Sequence, residues 1–141
     1  MSIIFLLHSI WRWVILLVAI VAVGKAILGW VTNQRWQSVD NLLGMAYTTA
    51  FDIQLLLGLI VYGGAFAGLH TVRWYTGSVM RLSMEHVLVM VVALVLVHLG
   101  SRAIKRNTAD SRKFRAAALW FGVSLLLMLA AIPTWSMSAT A

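Results

Sequence analysis

The sequence predicts an all-α integral membrane protein: a four-helix bundle of up-down topology with both termini outside. Three observations carry that prediction. Of 141 residues, 62% are hydrophobic and 11% charged, whereas ordinary soluble domains are about 45–50% apolar and about 25% charged. The mean hydropathy is correspondingly high, at +0.91. The apolar residues fall into four blocks, each long enough to cross about 30 Å of hydrocarbon with about 20 residues.

The blocks lie near Ile4–Leu28, Leu42–Gly64, Leu82–Ile104 and Arg115–Thr134. Each is apolar on nearly all sides, as a spanning helix should be. The run "VLVMVVALVLV" in the third is rich in β-branched residues. Strands would need a closed barrel in a membrane, which four blocks cannot build, so the blocks are helices. Short connections and the absence of a Pro/Ser-rich linker make residues 1–141 one domain. "GGAFAG", Gly63 to Gly68, reads as a helix end and turn, because glycine tolerates left-handed backbone. No basic residue precedes the first apolar run, so that run is expected to act as its own insertion signal and be retained. With no cysteine in the chain, disulfides, thiolate ligands and covalent haem attachment through CxxCH are excluded.

Charge sets the orientation. Six of the eleven basic residues fall in the stretch from Arg102 to Arg115 that joins the third and fourth blocks: Arg102, Lys105, Arg106, Arg112, Lys113 and Arg115. The positive-inside rule puts that loop in the cytoplasm, with Lys25 and Arg35 flanking the other inner connection. Both termini and the loop Ala65–Arg81 then face outside. Trp30, Trp36 and Trp120 fall near the inner interface, and Trp74 and Trp135 near the outer one. The formal charge of +7 is thus a topology anchor with attraction for anionic lipid, and no nucleic-acid partner is expected. Labelling tests the orientation. Cysteine introduced at Ser111 should react only with a membrane-permeant reagent and at Ser138 with an impermeant one; labelling of Ser111→Cys from outside would overturn the assignment.

Ionisable groups inside a span are costly and normally face the bundle interior in pairs. Asp52 interrupts "TTAFDIQLLLGLI" near mid-membrane, and Glu85 precedes His86 in "MEHVLVM". Arg12 falls between the two acids in depth, each about one turn away. A charged network of Arg12, Asp52 and Glu85 is therefore expected, with Asp52 the preferred partner.

The histidines divide by depth. His70 falls in the outer loop. His98 lies toward the inner end of the third helix, where Met45 is the nearest weak partner, and an interhelical hydrogen bond is its expected role. His8 and His86 each fall about one turn inside the outer end of helices that run in the same direction. The His8 face continues through Arg12, Ile15, Ala19, Ala22 and Ala26, and the His86 face through Met90, Ala93, Val97 and Gly100. Two histidines at one level on two helices of a bundle can hold haem iron between them. The same residues admit other readings: a zinc site of His8, His86 and Glu85, a quinone between the histidines and tryptophans, or imidazoles that only satisfy polar neighbours.

The segments "LHSIWRW", "FDIQLLLGLIVYG", "MEHVLVMVVALVLVHLGSRAIK" and "LAAIPTW", in this order, resemble a family of small four-helix bacterial membrane proteins of the cytochrome b-like type. The likeness covers nearly the whole chain. It implies that the family's histidine–serine–arginine–tryptophan element is His8, Ser9, Arg12 and Trp13, and its glutamate–histidine pair Glu85 and His86. Where relatives can carry histidine this chain has Asp52, which speaks against an iron ligand from the second helix.

The expected function is therefore membrane electron transfer through a b-type haem near the outer face, held by His8 and His86, in the bacterial inner membrane. Arg12, Asp52 and Glu85 would tune its potential. No nucleophile–base motif marks an enzyme. The alternative is a cofactor-free accessory or scaffold subunit of a larger respiratory or photosynthetic complex, contacting quinone, lipid or pigment.

Overall fold

A computed structural model describes residues 3–66 and 78–132, with side chains for 3–64 and 84–132. The described residues form four helices: α1 (Ile3–Val31), α2 (Ser38–Phe66), α3 (Ser78–Arg106) and α4 (Asp110–Ala131). All four are long and apolar enough to cross a membrane, and the protein is an integral membrane four-helix bundle. The calls on Gly68, His70, Trp74 and Trp135 lie outside the described residues.

Except at the end of α4, which stops at Ala131 and short of Thr134, the helices outrun the apolar blocks because helical hydrogen bonding continues into the polar interface, where charged ends suit it. Asp40 and Asp110 stand in the first turns of α2 and α4, and Lys105 and Arg106 in the last turn of α3, each complementing the helix dipole. Gly63 and Gly64, expected to end the second helix, lie inside α2, and the outer connection is shortened further by α3 starting at Ser78.

Neighbouring helices run antiparallel. On α1 and α2, Trp11 Nε1 donates to the Ala50 carbonyl at 2.9 Å while the later Lys25 meets the earlier Asp40. On α3 and α4, His86 meets Ala131 and Gly100 meets Trp120. The ring order is α1–α2–α3–α4, closed by α1 against α4, and α2 and α3 share the shortest seam.

The inner hairpin is built from its own sequence. Asn33, at φ 50°, takes the left-handed position that ends α1. Its N–H reaches the Trp30 carbonyl at 3.4 Å and Gln34 N–H the Gly29 carbonyl at 2.9 Å, a Schellman turn. Gln37 N–H donates to Asp40 Oδ2 at 2.8 Å, the backward half of a capping box.

Lipid supplies little hydrophobic drive between helices, so small residues and hydrogen bonds hold such bundles together. The faces read from the sequence are the buried ones: Ile15, Ala19, Ala22 and Ala26 on α1, and Met90, Ala93 and Val97 on α3. Across the centre, Tyr47 Oη donates to Ser124 Oγ at 3.2 Å, and Ser124 Oγ donates to the Ala93 carbonyl at 2.9 Å. This relay ties α2, α4 and α3 with every polar atom used. Trp120, expected to mark the inner interface, sits against Gly100.

Candidate functional site

His8 and His86 stand at the outer end of the bundle on diagonally placed helices, and each is held by a neighbour. Gln54 of α2 is 3% exposed. Its Nε2 donates to the His8 carbonyl at 3.3 Å and stands 3.3 Å from His8 Nε2. The reverse amide placement would press its oxygen against that carbonyl, so the nitrogen is correctly assigned. The amide N–H can donate only to an unprotonated ring nitrogen. The proton of a neutral His8 therefore sits on Nδ1, which is buried without a hydrogen-bond partner, as is Gln54 Oε1.

One turn further out on α2, Gly58 makes room for the ring. A Cβ there would lie 3.2 Å from His8 Cε1 and 3.5 Å from Nδ1. Glycine lets the imidazole rest against the helix backbone.

His86 is fixed by a different device. Its Nδ1 lies 2.8 Å from the carbonyl of Ala131, at the end of α4, where an α-helix leaves carbonyls without internal partners. A carbonyl only accepts, so Nδ1 carries the proton. Nε2 of neutral His86 then holds an in-plane lone pair, in a ring whose orientation is locked. His8 lies within electrostatic reach of both His86 and Arg12.

The expected charged network is not assembled. Asp52 Oδ1 lies 2.8 Å from His98 Nε2, and both side chains are about half exposed on the outside of the bundle. Glu85 is also exposed. Neither acid lies within ion-pair distance of Arg12, whose guanidinium carbon stands 5.4 Å from the Trp13 ring centroid and whose buried Nε lacks a hydrogen-bond partner. The interhelical hydrogen bond expected of His98 is present, with Asp52 rather than Met45 as partner. Depth counted along each helix treats the four as level. Here α3 is staggered against α2, so His98 meets a residue two turns beyond Met45.

The buried charge lies instead at the inner end. Asp40 is 4% exposed, and its Oδ1 is 3.2 Å from Lys25 Nζ. Lys25 also donates to Gln34 Oε1 at 2.7 Å and stands 5.1 Å from the Phe114 ring centroid. Lys25, Asp40 and Phe114, with Trp36, Gly44 and Phe121, line a small cavity under the α1–α2 turn.

Sequence reasoning passed over Gln54, Asp40 and the Tyr47–Ser124 relay, yet a signal existed for the first. Tyr47, Ala50, Phe51, Gln54 and Val61 are all buried and recur at steps of three, four and seven residues, one helical face. Asp52 falls off that face.

Among the described residues, no three His, Asp or Glu side chains gather as ligands for a metal ion, so the zinc set of His8, His86 and Glu85 is not formed. Comparison with protein-family models, with curated proteins and with solved structures finds no match.

Proposed function

We propose that this protein is a cytochrome b-like electron carrier of the bacterial cytoplasmic membrane, in which His8 and His86 would hold a b-type haem near the outer face. One observation carries the reading. The bond from His86 Nδ1–H to the Ala131 carbonyl fixes the tautomer and ring orientation that leave Nε2 available, the arrangement by which proteins prepare histidine for a metal.

The other residues fit the group. The buried, unpartnered His8 Nδ1 and Gln54 Oε1 leave polar capacity unused within the fold, which is costly for buried atoms unless something completes the site. Gly58 lets the His8 ring lie close against α2, and the Gln54 amide holds it through one weak contact of 3.3 Å. Haem bound here would supply reversible one-electron chemistry. The chain's part is to orient two imidazoles, exclude water and set the local field. Arg12, within reach of His8, places a fixed positive charge beside the site, which favours the reduced state. The likeness of "LHSIWRW" and "MEH" to cytochrome b-like proteins points the same way.

A second reading is favoured by the same hydrogen bonds. Because both imidazoles already touch protein partners, they also serve as helix clamps in a cofactor-free accessory subunit of a larger membrane complex.

Substitution separates the two. In protein purified from its native membrane, His8→Ala and His86→Ala should each abolish or severely weaken a reduced α-band of b type, and His98→Ala should leave it intact. If the band survives both substitutions, His8 and His86 are not the ligands.

A further inference from the structure

We infer that the α2–α3 face is a symmetric interface with a second copy of this chain, closed by the Asp52–His98 pair of each copy. The pair lies well inside the membrane-spanning segments of α2 and α3. Asp52 lies about 18–21 Å from either end of its span by helix rise, and His98 lies within the span Met84–Arg106. Both are nevertheless about half exposed on the bundle exterior. Beyond their mutual 2.8 Å contact, neither Asp52 Oδ2 nor His98 Nδ1 has a partner among the described residues. Hydrocarbon offers none, and ionisable groups at this depth face protein or a wet cavity.

A second copy supplies what is missing because the patch is complementary to itself. A two-fold interface sets the same patch of each subunit against the other. Positive-inside insertion gives every copy one orientation, so a two-fold axis along the membrane normal brings the two pairs to equal depth. With His98 protonated, Nε2–H serves its own Asp52 and Nδ1–H is free for Oδ2 of the copy opposite. Two imidazolium and two carboxylate groups then form a neutral, hydrogen-bonded ring. An unrelated partner would need its own donor and acceptor at that same depth. Around the ring, exposed Thr49 and Leu56 on α2 and Val91 and Val95 on α3 supply apolar contact and one further hydroxyl.

The absence of cysteine makes the test unambiguous. Single-cysteine variants of the full chain, Thr49→Cys and Val95→Cys, are oxidised in native membranes beside Leu17→Cys and Leu126→Cys, which lie on the outer faces of α1 and α4. The first two should yield a disulfide-linked species of twice the 15.6 kDa chain, and the controls should stay single. Adding Asp52→Leu and His98→Leu to Thr49→Cys should reduce that yield several-fold. Equal cross-linking at all four positions, mixed disulfides with another protein, or a chain that stays single throughout would each overturn the inference. So would a yield unchanged by removing the pair. Haem content plays no part in the readout, so the result is independent of the proposed function.

Discussion

Replacing Lys25 with methionine is expected to destabilise the protein by about 3–5 kcal/mol, because it breaks a buried ion pair from the side that leaves the charge stranded. Asp40 keeps its cap to Gln37 N–H, but its Oδ1 faces Lys25 alone at 3.2 Å. Lys25 is itself 28% exposed, which places the loss toward the lower end of that range. Asp40→Asn should cost less. The lysine stem can carry its ammonium toward solvent, Gln34 remains as a partner, and asparagine oxygen can still cap α2. The order therefore discriminates better than either value. Thermal midpoints of the two variants in detergent supply it, and a loss from Asp40→Asn exceeding that from Lys25→Met would contradict the assigned burial.

Gly100→Leu should separate α3 from α4. A Cβ at Gly100 would lie 2.5 Å from Trp120 Cβ and 3.2 Å from Phe121 Cε1. Trp120 Cβ moves only with the α4 backbone, so rotation of a side chain cannot relieve the contact. Overpacking of this kind costs about 1–3 kcal/mol, and more where the backbone must shift. Gly29 presents a softer case, since its close contacts are atoms of the Phe114 ring, and Gly24 an open one with nothing within 4 Å. Gly24→Ala should even gain slightly from helix propensity. The expected order of midpoints is Gly24→Ala highest and Gly100→Leu lowest; a Gly100→Leu protein as stable as wild type would show that the two helices do not meet there.

The spans, their number and two of the buried faces were readable in the sequence because small residues recur at helical spacing on α1 and α3. Ala19, Ala22 and Ala26 have no competing reason to line up in a helix whose other sides face lipid. Helix α2 hid its inward side, since lipid leaves no polar face to mark the outside. The two polar residues Asp52 and Gln54, two positions apart, project to opposite sides, and the more strongly polar one is the one that points outward. In water Asp52 would be read at once as surface; within an apolar span the same residue reads as interior. The Lys25–Asp40 pair was obscured by orientation rules that treat inner-end charges as a tally instead of as partners. Helix stagger, which sets His98 against Asp52, arises from packing between helices and has no local sequence signature.

In the proposed function, His8 and His86 together would hold one haem iron. Electron paramagnetic resonance of the oxidised wild-type protein, purified from its native membrane, tests it most directly, because two imidazoles impose a low-spin ferric state that a single axial ligand does not. A low-spin signal in stoichiometric amount is the expected result. A haem-free preparation, or haem held high-spin with one ligand, would contradict the account.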